Sequence, residues 1–187
     1  MRARLTLVAV LALSACASPE PAYFTLAAVP GSPVGGGPAL VEMRRPGLAG
    51  YLDRPEIVRA NSPYQLRMVS GERWAEPFGD MLSRILIEDL NERLPGTSLF
   101  SATGAISADA NANLEVDVQR FDADASGLVH LVAQVAVAHG RNQPPVSTRV
   151  IQLTRMPTGR STAELAAAMS ALLGQMADQV ATMLRGA

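Results

Sequence analysis

Hydrophobic positions along the chain form two helical stripes and several alternating runs. From Phe78 to Leu94, apolar residues recur at helical spacing: Phe78, Met81, Leu82, Ile85, Leu86, Leu90 and Leu94. Asp80, Arg84, Glu88, Asp89, Glu92 and Arg93 fill the other positions, which predicts an amphipathic helix with its polar side to water. Pro77 suits the first helical position, where its missing N–H has no intrahelical partner, and Pro95-Gly96 stops the helix. The second stripe runs through Leu165, Met169, Leu172, Leu173, Met176, Val180, Met183 and Leu184, behind the capping box Ser161-Thr162-Ala163-Glu164. Between the stripes the period drops to two. Leu114, Val116 and Val118 alternate with Glu115, Asp117 and Gln119, and Phe121 continues the polar side. Leu128 to Ala138 is apolar on both faces, as at a sheet centre. Val146 to Met156 reads as a third strand after the turn Asn142-Gln143-Pro144-Pro145.

The N-terminal half is more broken. Tyr23 to Val29 reads as a strand, and Pro30 to Pro38 as a loop rich in Gly and Pro. Ala39 to Arg45 predicts a strand with Leu40 and Glu42 on one face and Val41 and Met43 on the other. Pro46 to Tyr51 reads as a turn or short helix. Glu56 to Arg59 and Tyr64 to Val69 read as short strands around Asn61-Ser62-Pro63. No repeat at solenoid period is present. The order of elements predicts an α+β fold: a largely antiparallel sheet with two long helices packed on one face.

The first residues follow a different logic. Arg2 and Arg4 precede the apolar run Leu5 to Leu13, too short to span a bilayer and typical of a secretory signal. It ends Leu13-Ser14-Ala15-Cys16, a lipobox, with Cys16 the only cysteine. The expected organisation is a cleaved signal peptide over 1–15, a lipidated Cys16 with a tether to residue 21, and one α+β domain over 22–187. Two or three acyl chains on Cys16 would anchor the protein stably, since one chain alone holds only marginally. Ala17, rather than Asp, follows the Cys, which favours the periplasmic face of the outer membrane over retention at the inner one.

Composition narrows the chemistry. With 48% hydrophobic residues, 18% charged and a net charge of −1, the chain can build a core and lacks the basic footprint of a nucleic-acid binder. Lys is absent, so no Schiff-base or phosphate-loop lysine exists. His130 and His139 lie nine residues apart near one strand, on opposite faces, which argues against a shared metal; no cofactor motif is present. Asp117, Asp122 and Asp124 near a strand end allow a hydrolase pair on paper, but solvated turn acids are far commoner. Met169, Met176 and Met183 allow a lipid groove, though core packing explains the same stripe.

Two segments stand out. Tyr51-Leu52-Asp53-Arg54-Pro55-Glu56-Ile57-Val58 sets an aromatic and an ion pair beside a proline that keeps Arg54 out of the helical region. Arg73-Trp74-Ala75-Glu76-Pro77 holds the only Trp. Trp and Arg are enriched in binding hot spots, and equally a Trp can simply cap a core. These motifs, with Tyr23-Phe24-Thr25-Leu26 and the lipobox in front, resemble the PqiC family of ABC-type transport auxiliary lipoprotein components. The resemblance implies a non-enzymatic outer-membrane lipoprotein serving an intermembrane lipid transport system. Its partner would be an MCE-domain protein, and a homo-oligomer is open to it. Carried over by position, Tyr51, Leu52, Asp53, Arg54, Pro55, Arg73, Trp74, Glu76 and Pro77 are the signature residues, either building the fold or touching the partner.

Overall fold

A computed structural model describes residues 20–140 and 145–186, with side chains except at 145 and 146. Cys16 and most of the Asn142 turn lie outside these residues. Nine strands form one mixed sheet: β1 (Ala22–Phe24), β2 (Leu40–Met43), β3 (Gly47–Leu48), β4 (Glu56–Ser62), β5 (Gln65–Trp74), β6 (Ser98–Ser101), β7 (Ala112–Ala123), β8 (Val129–His139) and β9 (Pro145–Arg155). Helix α1 (Phe78–Arg93) lies between β5 and β6, and α2 (Thr162–Arg185) follows β9. The α+β class with two helices is as expected. The longer ladders, β4–β5, β7–β8 and β8–β9, are antiparallel.

The short pairings are parallel, which the sequence reading did not anticipate. Along one edge of β7 the chain lays down β2 against Val41↔Ala112, β3 against Gly47↔Asp117 and β4 against Arg59↔Ala123, in that order. β1 pairs parallel with β5 and β6 parallel with β2. Gly47 in β3 lies close to its partner strand: a Cβ there would displace the Asp117 carboxylate. The expected turn or short helix at 46–51 therefore contains a two-residue strand, and β6 has no counterpart in the sequence reading.

Other boundaries shift for physical reasons. Only Ala22–Phe24 of the first apolar run is strand. Beyond it, Leu26 N–H donates to Met81 Sδ, Ala27 N–H to Ser170 Oγ and Val29 N–H to Asp89 Oδ1, so side chains of the two helices replace a sheet partner. Pro77 is the N-cap of α1, one position before its expected place. Pro145 opens β9, where a strand tolerates a residue without an N–H. Phe121 faces the core rather than the polar side. A bulge between Val118 and Arg120 inserts Gln119 and reverses the alternation, so Phe121 and Ala123 join Leu114, Val116 and Val118 in the interior.

The core lies between the helices and one face of the sheet. Val129, Leu131, Ala133, Val135 and Val137 of β8 are fully buried, as are Leu172, Val180 and Leu184 of α2. Asp89 and Arg93 are buried too, contrary to their expected place on the polar side of α1. Arg93 Nε donates to Asp178 Oδ1 at 2.6 Å, Nη1 to Val29 O at 3.1 Å and to Asp89 O at 2.9 Å, and Nη2 to Gly174 O at 3.1 Å. One guanidinium thus ties the N-terminal segment to both helices.

Candidate partner-binding site

The two motif segments are far apart in sequence and meet in space. Leu52 N–H donates to Ala49 O, and Arg54 N–H to Leu52 O, folding 49–54 into successive turns that end at Pro55. Pro55 O then accepts Trp74 N–H at 2.8 Å, while Phe24 O accepts Ala75 N–H at 2.8 Å. The motif around Trp74 is therefore held from both sides: Arg73 and Trp74 end β5, and 75–77 link it to α1.

The aromatic side chains set the floor. Trp74 stacks on Phe78 with centroids 5.1 Å apart, and Phe78 leans on Phe121 at 6.0 Å. Residues 53–55 and 74–78 enclose a shallow groove of about 350 Å³ over this stack. Asp53 and Pro77 are exposed at its rim, and Arg54 and Glu76 are half-buried in it. Arg84 donates to Glu76 and, beside that carboxylate, is held even more firmly protonated than usual. Arg54 Nε is buried and has no hydrogen-bond partner among the described residues.

Not every signature residue lines the groove. Leu52 is in the core and supports the fold, whereas Trp74, 6% exposed, does both: it is packed in the core and forms the groove floor. Tyr51 turns the other way: its hydroxyl donates to Asp122 Oδ2 at 2.6 Å. Burial and then that carboxylate push the Tyr51 phenol well above its ordinary pKa, so it stays a donor. Arg120 completes the cluster by donating to Asp122 Oδ1. Arg73 sits on β5 opposite Tyr23 and Glu56, exposed and outside the groove. The groove's own candidates are therefore Asp53, Arg54, Pro55, Glu76 and Pro77.

Of the acids considered for catalysis, Asp117 is exposed on β7, and Asp122 and Asp124 are engaged elsewhere. Asp122 is 3% exposed and holds Tyr51 and Arg120. Asp124 accepts Ser126 Oγ, Ser126 N–H, Leu128 N–H and His130 Nε2, and these bonds, Ser126 first, keep its carboxyl far below the usual range. His139 is exposed at the other end of β8 from His130. Met169, Met176 and Met183 are all buried in the core, so they line no open groove. Among the described residues no cluster of metal-ligating side chains is present, and no helix is long and apolar enough to cross a membrane.

With this geometry in view, the class is plain: the chain belongs to the family of ABC-type transport auxiliary lipoprotein components, which it matches over residues 24–181. Among solved structures it is similar to protein XCC0632 from Xanthomonas campestris, at 21% identity and a TM-score of 0.72, covering 89% of this chain and 95% of that one. It is similar also to an uncharacterized protein at 19% identity and a TM-score of 0.72, covering 88% and 99%. At these identities the likeness establishes the fold. No curated protein matches the chain.

Proposed function

We propose that this chain is a non-enzymatic outer-membrane lipoprotein, anchored through acyl chains on Cys16, that docks the periplasmic end of an MCE-domain assembly in an intermembrane lipid transport system. The signal peptide would be cleaved after residue 15, leaving the tether and the domain over 22–187. The lipobox and the transport-auxiliary family support this reading. The observation that carries it is the groove in which the two motifs meet. Its apolar floor, its two prolines and the half-buried Arg54 side chain suit an extended partner segment that brings a carbonyl or carboxylate oxygen to Arg54. Rigid walls lower the entropy lost when such a segment is ordered.

The test is a crosslinking pull-down from intact cells, with the lipidated protein tagged at its C-terminus. Recovery of an MCE-domain protein with its permease is the expected result. Recovery of the protein alone, in outer-membrane fractions, would instead make it a stand-alone envelope lipoprotein.

A further inference from the structure

The hairpin β4–β5 outruns the rest of the sheet. Arg59 pairs with Ala123, the last residue of β7, so the hairpin beyond Arg59 has no further pairing with that strand. In the first half of β5 every residue from Gln65 to Met68 is exposed. The two faces differ. Tyr64, Leu66 and Met68 share one face and are 98%, 44% and 48% exposed. Arg59 and Arg67 stand opposite each other on the other face. From Val58 to Gly71 the hairpin carries these two arginines and no acidic residue. Directly opposed like charges are unfavourable in a sheet; Glu72 offsets part of the Arg59 charge, and exposed Arg67 is left to a second anion.

This end of the molecule collects further apolar surface. Met156, 57% exposed, follows the C-terminal end of β9, whose Arg155 pairs with Val129 at the Ala123 end of β7. It faces Arg59, Arg67 and Arg160 across a hollow of about 610 Å³ that Glu72 and Asp124 also line. Ile106, also exposed, lies in the loop that leads into Ala112, the end of β7 opposite Ala123.

The direction of the chain says what meets this end. β1 runs parallel to β5, with Ala22 beside Glu72, so the N-terminal end of β1 points toward the hairpin tip. From Ala22 back to Cys16 an extended chain reaches at most about 20 Å. From Glu72 to Gln65 the strand covers about 23 Å. An anchor on Cys16 can therefore come about level with Leu66, just short of the hairpin tip.

We infer that the tip of the β4–β5 hairpin rests in the interface of the bilayer that holds the Cys16 lipid, with Tyr64, Leu66 and Met68 among the upper acyl chains and Arg59 and Arg67 toward lipid phosphates. This rests on the lipidated Cys16 of the proposed function. An aromatic ring with aliphatic neighbours and a basic face is the chemistry that membrane interfaces accept. The hairpin acts as a second contact, which fixes the tilt of the domain and turns its far end away from the membrane.

Acylated Cys16 has no free thiol, so Leu66→Cys or Ile106→Cys supplies a single labelling site in the full lipidated chain. Each variant is labelled with an environment-sensitive fluorophore and reconstituted in phosphatidylethanolamine–phosphatidylglycerol vesicles, with and without nitroxide-labelled lipid. The mass of the N-terminal peptide is measured on the same samples. The expected result is an acylated N-terminus, a blue-shifted and several-fold brighter label at 66 that nitroxide lipid quenches, and a water-exposed label at 106. An acylated N-terminus with position 66 as wet as 106 overturns the hairpin contact and leaves the anchor standing. A blue shift at 66 that nitroxide lipid does not quench overturns it in favour of a contact with a second copy. An unmodified Cys16 overturns the anchor, and this inference with it.

Discussion

Asp89 offers a quantitative test of how the N-terminal segment is held. Its carboxyl is fully buried, accepts Val29 N–H at 2.7 Å and lies 3.8 Å from Arg93 Nη1. Its Oδ2 has no hydrogen-bond partner among the described residues. Burial raises its pKa from 3.8 to about 6, against the opposing pull of Val29 N–H and Arg93. Between those values the folded state holds the proton more tightly than the unfolded chain, so stability falls as pH rises through the window. A shift from 3.8 to about 6 corresponds to about 3 kcal/mol. Asp89→Asn keeps an acceptor for Val29 N–H and removes the titration. The assay is urea unfolding of the mature Cys16→Ser chain, followed by the fluorescence of Trp74, the only Trp. At a urea slope of about 2 kcal/mol/M, and with about four-fifths of this energy falling between pH ~4 and pH ~7, wild type should lose about 1.2 M in midpoint relative to Asp89→Asn. Asp124, held low chiefly by Ser126, adds stability as pH rises, but equally in both proteins. Parallel pH profiles for the two proteins would refute the buried, strained carboxylate.

Three further outcomes follow from the packing. Tyr51→Phe removes the hydroxyl that donates to buried Asp122 and should cost about 1–3 kcal/mol in urea unfolding; an unchanged midpoint would make that bond incidental. Phe121→Ala empties the site that the bulge at Gln119 turns inward and should cost about 3–5 kcal/mol, whereas a residue on the polar face would cost little. Gly31→Ala drives a Cβ into the Arg93 guanidinium and should cost about 1–3 kcal/mol by thermal or urea unfolding, with no such loss expected at Gly50, where a Cβ meets open space.

The long elements were legible because their period is local. Both helices and the three meander strands follow from spacing alone, and the Ser161 cap forms as its motif requires. β2 and β4 were legible as strands, but their parallel pairing was not, and β3 and β6 were not read at all. β2, β3 and β4 are each defined by a partner many residues away on β7, and a two-residue strand has no period to read. Phe121 misled for a similar reason: a bulge changes the face of every later residue without changing composition. Asp89 and Arg93 sit four apart on a helix and look like an exposed pair, and only the N-terminal segment crossing over them makes them buried. The two motifs were visible as unusual sequence. That Tyr51 and Leu52 serve the fold while Arg54 faces a groove depends on their neighbours, which spacing does not encode.

The docking groove is the central claim, and Arg54 tests it most directly. Trp74→Ala is a poor probe, because losing a buried indole costs about 3–5 kcal/mol of folding stability. Arg54→Ala removes only a half-buried side chain whose Nε has no partner to lose, so the fold should be nearly unaffected. The measurement is the amount of MCE-domain protein crosslinked in intact cells to tagged, lipidated wild type and to tagged Arg54→Ala, at matched abundance and matched N-terminal acylation. The groove account expects robust capture by wild type and a loss of at least tenfold with Arg54→Ala. Equal capture by both proteins would contradict it and move the docking surface elsewhere on the domain.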